Sequence, residues 1–200
     1  MLRRLAAFVG HFTLDAALEV VTNGDVDQQL MLSALDSLVA KSMVAIQPIG
    51  VTTRYRLLDT TRAYILEVAE SEAELSGLAL RHASFYLRWM VRTATDWPKW
   101  PTAAERAAHF ADINNVRAAL EWCFNVEGNI EVGVRLASAA APVLLAMSLL
   151  SECHRWSERA VLGVDDAKQR YCRVRGNPRM PEIFCSQSSC SSQRVSIRQI

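Results

Sequence analysis

Arg54-Tyr55-Arg56-Leu57-Leu58-Asp59-Thr60-Thr61-Arg62-Ala63-Tyr64 decides how this chain is read. Tyr55 and Leu57 alternate with Arg54 and Arg56, the period of a strand with one face in the core and one in water. Asp59 or Thr60 can then accept the free N–H groups of a helix that starts there. Ala63, Leu66 and Glu67, then Ala69 and Glu70, give that helix a mixed surface. The stretch predicts a strand running straight into a helix.

Working backward, Pro48 to Thr52 predicts a turn, with Val44 to Gln47 as the partner of a strand from Thr53 to Leu57. Upstream of the hairpin the apolar spacing is helical. Met1 to Val9 places Leu2, Leu5, Ala6 and Val9 on one face, and Gly10-His11 breaks the pattern. Thr13 is the expected N-cap of a second helix through Val21, with Leu14, Ala17, Leu18 and Val21 inward. Asn23-Gly24-Asp25 signals a turn. A third helix, from about Asp27 to Lys41, is expected to bury Leu30, Leu32, Leu35, Leu38 and Val39. Three helices and a hairpin make a winged helix-turn-helix.

Working forward, the chain is helical. Leu78 to Thr95 carries Leu80, Ala83, Tyr86, Leu87 and Met90 at helical spacing. Trp97-Pro98-Lys99-Trp100-Pro101 interrupts it, because each proline disfavours helix at the residue before it. Further helices are expected from Ala103 to Asn125, from Ile130 to about Leu150, which Pro142 kinks, and from Ser151 to Leu162. Antiparallel helices on short connections predict a helical-repeat array. The fold class is therefore mainly α, with a small β-hairpin. The expected domains are a winged helix at 1–74, a helical region at 75–162 and an irregular tail at 163–200. Two readings of the tail stand: a disordered polar segment, or residues translated out of frame beyond about Val164.

Composition narrows the function. The chain holds 22 Lys/Arg against 21 Asp/Glu, which gives no general electrostatic argument for nucleic acid or an anionic membrane. Residues 1–162 hold 15 basic against 18 acidic side chains, and residues 163–200 hold 7 against 3. The apolar run Leu136–Leu150 contains Pro142, Ser138 and Ser148 and falls short of the ~20 residues a membrane span needs. Five cysteines, no C-x-x-C pair and no signal peptide predict reduced thiols in a cytoplasmic protein. Cys172, Cys185 and Cys190 have no zinc-site spacing, so no metal is expected. No phosphate-binding G-x-x-x-x-G-K-[ST] or G-x-G-x-x-G occurs, and His11, His82, His109 and His154 stand singly. Neither enzyme activity nor a cofactor is expected. The third helix offers Gln28, Gln29 and Lys41 beside Asp27 and Asp36. On that count direct DNA binding is expected to be unlikely, and protein packing is the preferred use of the winged helix.

Several segments carry a resemblance. Leu2-Arg3-Arg4-Leu5-Ala6-Ala7-Phe8-Val9-Gly10 with Phe12-Thr13-Leu14-Asp15-Ala16-Ala17 resembles the opening of the winged-helix domain in bacterial STAND ATPases, the AfsR/LuxR-like transcriptional regulators. Leu35 to Met43 is similar to their third-helix ending, and Tyr55 to Tyr64 to their strand-to-helix junction. Arg81-His82-Ala83 with Phe85-Tyr86, then Asn114 to Trp122, continue it. Arg155-Trp156 with Glu158-Arg159-Ala160 resembles the first hairpin of their TPR-like region. The similarity covers residues 1–162.

The resemblance implies a non-catalytic regulatory fragment that couples the nucleotide state of an absent ATPase module to helical sensor repeats, in transcription regulation and signal transduction. Its implied partner is a protein or that module. In related NB-ARC proteins a Met-His-Asp motif contacts ADP at this junction. The matching positions are Leu57, Leu58 and Asp59, and Leu58 cannot donate. Arg56 and Arg62 are then the nucleotide-contact candidates, with solvated surface arginines as the plain alternative. The competing expectation is a free-standing winged-helix DNA-binding protein with a helical dimerisation arm.

Overall fold

The computed structural model describes residues 1–22, 28–49, 52–67, 72–96 and 110–175, with the backbone only at 28, 72–74 and 166–175. Helix α1 (Leu2–Leu5) is a single turn. It is shorter than the apolar spacing suggests, because Gly10, at φ +88°, turns the chain into a two-residue strand β1 (His11–Phe12). Left-handed φ costs glycine little and other residues about 1 kcal/mol or more. Helix α2 (Leu14–Val21) starts where expected, with the Ala16 N–H donating to Thr13 Oγ1 at 3.2 Å.

Helix α3 (Gln28–Ala40) buries Met31 and Leu35, with Leu38 and Val39 packed at the edge of the core. Leu35, Leu38 and Val39 face inward as expected, whereas Leu30, also expected inside, is 65% exposed and Met31 is buried next to it. The helix stops in a Schellman motif. Met43 N–H donates to Leu38 C=O and Ser42 N–H to Val39 C=O, with Ser42 at φ +55°.

Strand β2 (Val44–Ile49) pairs antiparallel with β3 (Thr52–Leu57), from Val44↔Leu57 to Ile49↔Thr52. The strands therefore extend into the segment expected to turn. β1 pairs with the other edge of β3, giving the order β1-β3-β2 and making β3 central. A two-residue strand has no readable period, so β1 is visible only through its pairing. Helix α4 (Asp59–Glu67) follows directly, burying Ile65.

Helix α5 (Glu72–Asp96) is the spine, about 37 Å long at 1.5 Å per residue. It packs against α2, α6 (Ile113–Cys123) and α7 (Ile130–Ala146). Tyr86, Met90 and Ala83 are fully buried along it, whereas Leu80 is 38% exposed. Of the helix expected from Ala103 to Asn125, residues 103–109 lie outside the described residues; a turn at Ala111–Asp112, where Asp112 points inward, precedes α6. The turns expected at Asn23–Asp25 and Trp97–Pro101 lie outside the described residues.

Asn129 caps α7, accepting from Val132 N–H at 3.0 Å. Pro142 is accommodated within it, and a second Schellman motif at Ser148 (φ +60°) ends it. Gly133 lies so close to α6 that a Cβ there would sit 2.8 Å from Cys123 Cβ. Helix α8 (Leu150–Arg175) buries Trp156 against Phe124.

Met1–Val164 forms one compact unit, so the winged helix and the helical region share a continuous core. Asp165–Ile200 forms a second unit. Within it residues 165–175 are helical, where an irregular tail was expected, and 176–200 lie outside the described residues. Among the described residues no helix is long and apolar enough to cross a membrane.

Candidate nucleic-acid interface

Met31 and Leu35 pin α3 to the core and leave one stripe outside: Gln29, Ser33, Asp36, Ser37, Ala40 and Lys41. Their spacing follows the helical repeat, so one amide, two hydroxyls, one ammonium and the Asp36 carboxylate project together. A helix of this diameter fits the major groove of B-DNA. There a glutamine amide can pair with adenine N6/N7, serines can contact either base type, and lysine can meet phosphate. The β2–β3 hairpin is the wing. Gln47, Pro48 and Thr53 are exposed on it, and Gln47 Oε1 lies 3.0 Å from His11 Nε2 across the sheet. Gln28, on the first turn of α3, has no described side chain, and Asp27 lies outside the described residues.

The two arginines singled out from sequence stand in different settings. Arg56 donates from Nη2 to Asp59 Oδ2 at 2.6 Å on the open surface. Arg62 turns toward α1, its Nε donating to the carbonyls of Ala6 and Phe8, both at 3.0 Å. It therefore fastens α4 to the turn after α1 and is more than a solvated side chain. Leu58 is 41% exposed, and its N–H donates to Met43 C=O at 3.3 Å. The Asp59 carboxylate, offered from sequence as a helix cap, is taken by Arg56.

Sequence reasoning missed a buried polar seam. Arg54, expected on the solvated face of β3, is 3% exposed. Its Nη1 donates to the Asp112 carboxylate, which also lies 3.5 Å from the Tyr86 hydroxyl. Asn115, fully buried, clamps the β1 entry: Oδ1 accepts from Val9 N–H at 2.7 Å, and Nδ2 donates to His11 C=O at 2.6 Å. His82 Nε2 lies 3.5 Å from the same Oδ1 and its ring lies 5.4 Å from Phe8. Burial drives the ionisations. It pushes Asp112 above the usual carboxylate range, with Arg54 pulling back, and pushes the Tyr86 hydroxyl up. It also brings His82 down to about 4, aided by the nearby Arg62 charge and opposed by Asn115. No spacing in the sequence marks these residues, because their partners lie 58 and 106 positions away.

Cys123 is buried, its thiol pushed up to about 12 by desolvation, and Cys153 is half-buried. Among the described residues no group of His, Cys, Asp and Glu could hold a metal ion. His109 and Cys185 and Cys190 lie outside the described residues, as does the side chain of Cys172.

Residues 1–70 match the model of a winged helix-turn-helix domain. The chain is thus mainly helical, with a three-stranded antiparallel sheet and a winged helix-turn-helix at its N-terminus. Three curated relatives, two from Mycobacterium tuberculosis strains and one from Mycobacterium bovis, bear the name "Putative HTH-type transcriptional regulator". Each is 34% identical over 158 residues, covering 78% of this chain and 17% of the relative. The chain therefore spans about a sixth of those regulators, to which it is homologous. No solved structure matches it.

These findings correct the expectation that direct DNA binding is unlikely, since the domain and the relatives both point to it. That expectation tallied the residue types of the third helix without regard to which of them share an exposed face. Base reading depends on hydrogen-bonding side chains gathered on one helix face, and α3 presents such a face.

Proposed function

We propose that this chain is the winged-helix segment of a transcriptional regulator, with α3 in the major groove and the β2–β3 wing against the adjoining backbone. The exposed Gln29–Ser33–Ser37–Lys41 stripe carries this reading. In it the chain performs no reaction of its own, and the helical region fixes the orientation of the winged helix. With few cations on the face, affinity depends modestly on phosphate. Two to four neutralised phosphates give a salt slope of about −2 to −4 in log K against log salt. Fluorescence anisotropy with labelled duplexes, titrated at 50–200 mM salt, tests it. Lys41→Ala should flatten the slope by about one, and Gln29→Ala should weaken binding to a selected sequence about 5–100-fold. Failure to bind any duplex from a random-sequence selection at low salt would overturn the proposal.

A second reading is favoured by the buried seam: the winged helix transmits the nucleotide state of a STAND-type ATPase to TPR-like sensor repeats. The seam welds the sheet to α5 and α6, as a coupling element requires. The STAND-like segments of the sequence support it. Its test is a longer homologue, in which weakening the seam should alter ADP affinity or basal activation. No change in either would remove it.

A further inference from the structure

A cavity of about 400 Å³ opens where the winged helix meets the helical region. That volume suits a small organic ligand. Arg3, Arg62, His82 and Trp122 line it, with Leu66 and Ala79 among its apolar walls. The bonds from Arg62 Nε to the Ala6 and Phe8 carbonyls hold its guanidinium in place. Neither Arg62 nor Arg3 has a carboxylate partner among the described residues, whereas Arg54, Arg56, Arg88 and Arg117 each have one. Glu127 also lines the cavity; it and Arg3 are both exposed, and two guanidinium groups against one carboxylate leave the lining net positive. His82 is neutral near pH 7 and adds no charge.

We propose that this cavity binds a small carboxylate carried on an aromatic or acyl body. The guanidinium groups of Arg62 and Arg3 take the carboxylate, the geometry that arginine matches best. Trp122, Leu66 and Ala79 take the apolar body. One wall of the cavity belongs to α1 and α4 and the other to α5 and α6, so an occupant touches both the winged helix and the helical region. As an effector site for a regulator the cavity rests on the DNA-binding reading, but binding itself does not.

The test is calorimetric titration of the full chain without DNA, so failure here is distinct from failure to bind DNA. The probes are indole-3-acetate, phenylacetate and octanoate, with indole-3-acetamide as the uncharged control and ADP as the competing anion. The expected result is one-site saturable binding of at least one carboxylate, at least tenfold weaker for the amide. Arg3→Gln should weaken it threefold or more with an unchanged melting temperature, and Ala79→Leu should block it by filling the cavity. These two variants decide the matter even if Arg62→Gln, which loosens α4, fails to fold. No saturation by any carboxylate, equal binding of the amide, or indifference to both variants would overturn the proposal. So would tighter ADP binding with the same dependence on Arg3.

Discussion

Arg54 and Arg56 lie two residues apart on β3 and share a face of its pleat, yet they end in opposite environments. Arg54 is sealed under the helical region against Asp112, and Arg56 reaches across open surface to Asp59. The same division separates two sides of the winged helix. One side, with β1, Arg54 and Asn115, is closed by α5 and α6 through buried polar contacts. The other, with α3 and the hairpin, leaves its amide and hydroxyl side chains exposed. A buried charge pair is costly to leave half-made, whereas an exposed pair contributes little. The closed side is thus suited to fixing orientation and the open side to contacting a partner.

The contrast breaks most sharply at the ion pair. Arg54→Ala or Asp112→Ala alone should cost about 3–5 kcal/mol, because each strands a buried charge. Arg54→Met with Asp112→Leu should recover most of that loss. Chemical denaturation of the four proteins checks it, and single-variant losses below 1 kcal/mol would mean that water reaches the seam. Leu57→Ala, on the same strand, should cost about 2–5 kcal/mol by opening a cavity beside Val44, its cross-strand partner.

The seam should also show in pH. His82 is held neutral, its pKa brought down to about 4 from 6.5. Between those values the unfolded chain takes up a proton that the folded chain does not. The stabilisation is complete above pH 6.5 and is lost as pH falls to about 4, amounting to about 3 kcal/mol. Asp112, with its pKa raised, acts with the opposite sign from the ordinary carboxylate value upward and so offsets part of that decline. Melting curves from pH 7.5 to 4 should show the decline, and His82→Gln should flatten it.

Arg62→Ala should cost about 1–3 kcal/mol, since two carbonyls lose a charged donor. Arg56→Ala, on the open side, should stay within about 0.5 kcal/mol. Thermal unfolding separates the two, and equal losses would mean that the two environments are not distinct.

Much of the architecture was legible locally. The Thr13 cap, the β2–β3 hairpin and the strand-to-helix junction depend on neighbours within a few residues, where side-chain chemistry and backbone preference act directly. On α3 the exposure of Leu30 was misjudged because Leu30 and Met31 are both apolar, and only the core decides which is covered. Of the candidate site, the residues of α3 were legible, but their use was discounted by a tally of residue types that ignores which face they occupy.

By itself the sequence determined a winged helix followed by helices, since period, caps and turns are properties of short segments. Only the tertiary structure decided that Arg54 is buried, that Asp112 turns inward to meet it, that Asn115 holds β1, and that Arg62 faces inward. Each depends on a partner brought near by packing. Desolvation, which makes such a contact matter, is absent until the surrounding elements have closed over it.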